Sequence, residues 1–269
     1  MTANFPPDGR ISFLDVAFTP LDQDAVMRRL DVLRHEDRFT FVVTPNVDHV
    51  VGLATQDADA VLRKAYAAAE LVLCDSRILQ LLAQWSGLHL PLVTGSDLTA
   101  LVLREAEAAG GRSIAVVGGD TDLFADLQRL YPRIIWVQHM PPMGVRRNAA
   151  ARQAIADFVE GADCDTVLFA IGAPQSEIVC GEIAQRGNAR GVALCIGASL
   201  EFVTGAKRRA PAALQTLRLE WLFRLLSEPR RLWRRYLVEG PRIVMIWLRW
   251  RATRSPQPAA SWSSRRDPS

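Results

Sequence analysis

Hydroxyls, an amide, a carboxylate and several glycines fall directly after apolar runs along this chain. Thr44-Pro45-Asn46 follows one run and Cys74-Asp75-Ser76-Arg77 a second. Gly118-Gly119-Asp120, Gly172-Ala173-Pro174-Gln175-Ser176-Glu177 and Gly197-Ala198-Ser199 follow three more. Small residues at such points let a ligand approach backbone N–H groups and helix N-termini, so phosphate or diphosphate is the natural guest. Asp75 would set a carboxylate beside that guest, although position alone equally allows it to cap the next helix. Thr44-Pro45-Asn46 likewise reads either as pocket lining or as a turn into a helix. Gly118-Gly119 is common strand–glycine–helix punctuation, and Asp120 and Asp122 read first as helix-start residues.

The elements that must position these residues are six short, β-branched, apolar runs: Phe39–Thr44, Leu71–Cys74, Ser113–Val117, Ile134–Val137, Thr166–Ile171 and Gly191–Ile196. Near-continuous apolar runs suit strands covered on both faces. Helical patterns lie around them at roughly 22–35, 57–69, 76–86, 97–109, 121–131, 147–160 and 176–187, with Asp97 and Thr121 as expected caps and Gly110-Gly111 and Gly187 as stops. The alternation implies an α/β fold with a doubly wound, mostly parallel, Rossmann-like sheet. In such sheets ligands sit at the carboxyl ends of the strands, where the residues above fall.

The totals exclude several classes. The chain has 269 residues, 49% of them hydrophobic and 23% charged, enough for one large α/β domain with an appendage. The longest uncharged apolar run near the C-terminus, Ile243–Leu248, is short and lies between Arg242 and Arg249, so no spanning helix is expected. The N-terminus lacks a basic start followed by an apolar run, which sets the expectation of a cytosolic protein. Cys74, Cys164, Cys180 and Cys195 form no CxxC pair and read as small core residues in a reducing compartment. His35, His49, His89 and His139 are isolated, without metal-ligand spacing. Of the Asp-x-Asp pairs only Asp120/Asp122 falls at the carboxyl end of a strand, and no metal is expected. A Walker loop and a GxGxxG turn are both missing.

Charge divides the chain. Residues 206–269 carry 15 Lys and Arg against 4 Asp and Glu, a net of +11, whereas residues 1–205 carry 17 against 25, a net of −8. The basic part is also rich in Trp and Leu. A cationic, aromatic segment suits an anionic membrane surface better than nucleic acid. The expected division is an α/β catalytic domain over 1–205, a basic helical appendage over 206–252 and a disordered tail over 253–269. Leu217, Trp221 and Leu225 share one helical face and are expected to face the core, while Arg230–Arg251 is harder to explain that way.

The block Gly205-Ala-Lys-Arg-Arg-Ala-Pro211, followed by LEWLFRLLSEPRRLWRRY, resembles the WecG/TagA/CpsF family of bacterial glycosyltransferases (family 26). Arg209-Ala210-Pro211, Leu219-Glu220-Trp221, Arg224, Pro229 and Arg231 carry the likeness, with Thr44-Pro45-Asn46, Asp75, Val93–Leu98, Gly172-Ala173-Pro174 and Glu177 in support. The likeness runs from about Phe39 to Tyr236. The chain departs from the family pattern at Ser76, where glycine is usual, and at Leu92, Gln175-Ser176 and Leu200-Glu201.

The resemblance implies an inverting hexosyltransferase. It would move a sugar from a UDP-sugar to a polyprenyl-diphosphate-linked saccharide in cell-surface or exopolysaccharide synthesis, with no cofactor and no metal. Asp75 is then the general base. Thr44, Asn46, Ser76, Arg77, Gly118, Gly119, Gly172, Pro174, Gln175, Glu177 and Gly197 line the substrates, and Arg209, Arg224 and Arg231 reach the diphosphate. The appendage implies peripheral attachment to the inner face of the cell membrane; no nucleic-acid partner is expected, and a homo-oligomer stays open. The alternatives are another UDP-sugar-processing enzyme, such as an epimerase or hydrolase, and a basic nucleic-acid- or membrane-binding protein without catalysis.

Overall fold

A computed structural model describes residues 9–54, 60–206 and 240–253. Six strands form one parallel sheet: β3 (Phe39–Val43), β4 (Leu71–Val72), β5 (Ser113–Gly118), β6 (Ile135–His139), β7 (Thr166–Ala170) and β8 (Gly191–Cys195), in the order β4-β3-β8-β7-β5-β6. β3 and β8 are buried along their whole length, as their nearly continuous apolar runs require. β3 pairs with β8 from Phe39↔Gly191 to Val43↔Cys195, which sets Thr44 level with the exit of β8.

Helices cover both faces. One layer holds α2 (Val47–Ala54), α3 (Ala60–Ala68), α4 (Arg77–Gln84), α7 (Ala149–Ala162), α8 (Gln175–Arg186) and α10 (Gly240–Thr253), together with a hairpin of β1 (Ile11–Phe13) and β2 (Val16–Phe18). The other holds α1 (Gln23–Leu33), α5 (Gly95–Ala109), α6 (Thr121–Leu130) and α9 (Ser199–Val203). The fold is therefore the doubly wound α/β sheet that the strand–helix alternation implies. Phe13, Phe18, Phe41 and Phe169 are fully buried in the first core, and truncating any one to Ala costs about 3–5 kcal/mol.

From β3 to β6 each strand sends its chain to the layer opposite to that of its neighbour. β3 leads into α2 on one side while β8 leads into α9 on the other. β7 leads into α8 while β5 leads into α6. Chains that part in this way open crevices at the carboxyl edge.

Some local readings shift. α5 is capped by Thr94 rather than Asp97, because the Thr94 hydroxyl accepts the Asp97 N–H at 3.1 Å and donates to the Asp97 carboxylate at 2.7 Å. α6 is capped by Asp120 rather than Thr121, its Oδ1 accepting from Leu123 N–H at 2.8 Å. β4 is only two residues long, and the expected extension to Cys74 survives as a single bridge to Leu92. β6 starts one residue late and runs on to His139, with Ile135 exposed on the sheet edge. The hairpin, α2 and α9 have no counterpart in the helical and strand patterns read from the sequence.

α10 lies against the first layer. Ile243 and Trp247 are buried, Trp247 Nε1 donates to Ser86 Oγ at 2.8 Å, and Trp250 meets Phe13 edge-on at 5.1 Å. One face of this stretch of Arg230–Arg251 thus covers the core, which its sequence pattern made harder to expect than for Leu217, Trp221 and Leu225. Leu217, Trp221, Leu225 and most of the 206–252 appendage lie outside the described residues, as does the tail beyond Thr253.

Candidate functional site

The clearest convergence of polar groups lies where β3, β4 and β8 end. Thr44 leaves β3 and donates its hydroxyl to the Cys195 carbonyl at 3.4 Å. Ser199 opens α9 and donates to the Ile196 carbonyl at 2.6 Å. Asp75 follows β4, its N–H held by the Pro45 carbonyl at 3.1 Å, while the Cys74 carbonyl accepts from Val93 N–H at 3.0 Å. The segment carrying the carboxylate is thus pinned from both sides. Gly95, the first residue of α5, shows how close the three side chains come. A Cβ at Gly95 would lie 3.0 Å from Thr44 Oγ1, 3.4 Å from Ser199 Oγ and 3.6 Å from Asp75 Oδ2. Glycine is what lets the start of α5 pass beside two hydroxyls and a carboxylate.

The capping alternative for Asp75 fails on geometry. Ser76 caps α4, its hydroxyl accepting from Leu79 N–H at 3.3 Å. Asp75 therefore lies one residue before the cap, half-buried in the crevice. Ser76, expected to line substrate, uses its hydroxyl as that cap, and Arg77 begins the helix exposed to solvent. Asn46 is both things the sequence allowed: it borders the crevice and starts α2, its Oδ1 accepting from Asp48 N–H at 3.0 Å.

The glycines divide into two kinds. Gly172 and Gly197 have φ of +78° and +54° with open space where a Cβ would be, so a ligand can reach the backbone there. Gly118 and Gly119 are enclosed. A Cβ on Gly118 would meet Ile171 Cγ2 at 2.9 Å and the Ala170 carbonyl carbon at 3.0 Å, and one on Gly119 would meet Leu123 Cδ2 at 2.7 Å. Gln138 Nε2 from β6 donates to the Gly118 carbonyl at 3.0 Å and to the Asp120 carbonyl at 3.3 Å. Packing within the sheet thus accounts for this glycine pair. Asp120, as the α6 cap, is likewise committed.

The loop after β7 carries Pro174 and Gln175 at the start of α8. Gln175 donates to the Ile171 carbonyl and accepts the Arg146 N–H at 3.3 Å, so its amide ties the loop together. Glu177 is 3% exposed, beneath the crevice rather than lining it. Burial pushes its carboxyl up to about 7, its own backbone N–H pulling the other way. His49 Nε2 lies 3.7 Å from Glu177 Oε1. The sequence reading placed Glu177 against substrate and gave His49 no part; Gly95, Thr94 and Ser199 also lay outside its site residues. A Thr-x-x-Asp spacing at Thr94–Asp97 was the local signal for the α5 start.

The three arginines expected at the diphosphate, Arg209, Arg224 and Arg231, lie outside the described residues. Among the described residues no three His, Cys, Asp or Glu side chains gather at a metal-sized point, and no helix is long and apolar enough to cross a membrane. All four cysteines are buried, with Cys180 and Cys195 Sγ 3.7 Å apart.

A half-buried carboxylate flanked by hydroxyls at the edge of a parallel sheet can take a proton from a bound hydroxyl group. The open Gly197 turn, after the strand paired with the one that leads to Thr44, can receive the anionic part of the same ligand. A family model described as "Glycosyl transferase WecG/TagA/CpsF family" matches residues 11–257.

Proposed function

The chain belongs to the WecG/TagA/CpsF family of glycosyltransferases, and from that premise we propose that it transfers a sugar, with inversion, from a UDP-sugar to a polyprenyl-diphosphate-linked saccharide. Family membership makes it a glycosyltransferase of cell-surface polysaccharide synthesis. The donor, the acceptor and the residue roles are the proposal.

In the proposed step an acceptor hydroxyl attacks the anomeric carbon. The new C–O bond forms as the bond to the UDP β-phosphate breaks. Asp75 takes the hydroxyl proton, and the leaving phosphate keeps the electron pair. Thr44 and Ser199 position the reacting sugar, and the Gly197 turn admits the diphosphate to backbone N–H groups. Arg209, Arg224 and Arg231 supply the cationic stabilisation that a departing diphosphate needs, through charge-assisted bonds. The observation that carries the reading is the meeting of Thr44, Asp75 and Ser199 around Gly95.

Surface chemistry supports peripheral attachment. Outward-facing Val244, Met245 and Leu248 of α10 are 43%, 54% and 54% exposed, with Arg242 and Arg249 among them. Ile78 of α4 and Trp85 just after it are also exposed, and Trp85 lies 6.0 Å from Trp247 of α10. Apolar side chains interleaved with arginines suit an anionic bilayer interface. A lipid-linked acceptor would then arrive near the base.

The test is a panel of UDP-sugars with lipid-diphosphate-sugar acceptors, following UDP release and product mass. A new glycosidic product that requires the acceptor supports transfer. UDP-sugar turnover without any acceptor supports the epimerase or hydrolase alternative and overturns the proposal.

A further inference from the structure

We propose that Glu177 and His49 form a positioning pair that sets Asp75 through the Thr44-Pro45-Asn46 loop; the inference rests on the reading of Asp75 as base. The contacts run without a gap. His49 is the third residue of α2, and its Nδ1 accepts the N–H of Asn46, the residue that starts the helix, at 3.1 Å. With Asn46 Oδ1 accepting from Asp48 N–H, this is a capping box in which an imidazole takes the usual place of a Glu or Gln. The next residue back, Pro45, gives its carbonyl to Asp75 N–H at 3.1 Å. Whatever fixes His49 therefore fixes the loop that carries Thr44 and holds Asp75.

Glu177 is placed to fix it. An Nδ1 that accepts a hydrogen bond carries no proton, so the imidazole proton sits on Nε2, which lies 3.7 Å from Glu177 Oε1. A doubly protonated His49 would aim Nδ1–H at the Asn46 N–H and break the box. A carboxyl oxygen facing Nε2 favours the proton on that nitrogen. Among the described residues the other titratable groups around Glu177 are Tyr66 of α3, Cys180 of α8 and Cys195 of β8, whose pKa values burial pushes up, so that they stay neutral. Glu177 Oε2 and Tyr66 Oη are both buried without a hydrogen-bond partner. A buried carboxyl with so little compensation is costly, and an apolar residue would pack there at less cost. Its retention is explained if orienting His49 is its task.

The test uses the full chain. In long-range ¹H–¹⁵N spectra, neutral His49 is expected as the Nε2–H tautomer, and the Glu177→Met variant is expected to shift both the His49 ring and the Asp75 amide resonances. Loss of about 1 Å of positioning costs up to roughly a hundredfold in rate, so His49→Leu and Glu177→Met should each lower kcat at least about tenfold. KM for the donor should change less than about threefold, the pattern of lost alignment rather than lost binding. His49→Gln, whose amide can accept from Asn46 and donate to Glu177, should recover most of what His49→Leu loses. An Nδ1–H tautomer in the wild type, or an unmoved Asp75 amide and normal kcat in folded Glu177→Met, overturns the pairing. If Glu177→Met does not fold, the His49→Leu and His49→Gln comparison decides. Should Asp75→Ala turn over normally, the base assignment falls, while the tautomer and the Asp75 amide shift still judge this inference.

Discussion

Two crevices open on the same sheet edge, and they are built to opposite ends. Both arise where neighbouring strands send their chains to opposite helical layers, β3 and β8 in one case, β5 and β7 in the other. Both have glycines at the strand exits, and both have an aspartate nearby. At the first, two hydroxyls and the Asp75 carboxylate surround Gly95, and Gly197 faces open space. At the second, Gly118 is pressed against the neighbouring Ala170 backbone, Gln138 occupies the turn carbonyls and Asp120 caps a helix. A strand-end aspartate thus points to function where a neighbouring residue takes the cap, and a strand-end glycine where its turn stays open.

That contrast can be broken by exchanging like for like. Asp75→Ala should slow sugar transfer at least about a hundredfold with the fold intact, the loss expected for a general base. Asp120→Ala should instead cost about 1 kcal/mol of stability by urea unfolding, the worth of a cap, and transfer sugar normally. Equal kinetic losses in both would erase the distinction. Gly118→Ala comes next. With φ at +104° and backbone atoms about 3 Å from the new Cβ, it should lose roughly 1–3 kcal/mol of stability. Gly95→Ala should be a kinetic variant: its methyl pushes on Thr44 Oγ1 at 3.0 Å, and about a tenfold loss of kcat is expected at nearly unchanged Tm.

The smallest effect is on pH dependence. Glu177 rises from 4.5 to about 7 on folding, so the folded state holds a proton that the unfolded chain has released between those values. Its stabilising contribution is fully present below about 4.5 and is lost as pH rises through about 7. Wild type should lose stability over that window relative to Glu177→Gln, by on the order of 1 kcal/mol once the structure relaxes around the charge. Parallel curves for the two proteins would show that Glu177 does not titrate in this range.

The sheet was legible because buried parallel strands have a plain signature: Phe39–Val43 and Gly191–Cys195 are buried at every position, with Thr40 alone polar among them. The β1–β2 hairpin was not, since three-residue strands leave no period to count and its turn uses Leu14 and Asp15 at φ of +52° and +61° rather than Gly or Asn. Asp75 could be found as a strand-end carboxylate, but its release from capping depended on Ser76, a choice between adjacent residues that pattern cannot make. The meeting of Gly95 with Ser199, and the part of His49, were hidden for a different reason. Both come from the β3–β8 pairing and from packing between distant helices, and the chain records those contacts only once it is folded.

The most direct measurement is amide hydrogen exchange of the full chain with and without UDP. Protection concentrated at Thr44–Asn46 and Gly197–Ser199 is the expected result, because the open crevice beside Asp75 is where the nucleotide should sit. Protection confined to Gly118–Asp120, with the Asp75 side unchanged, would contradict the account.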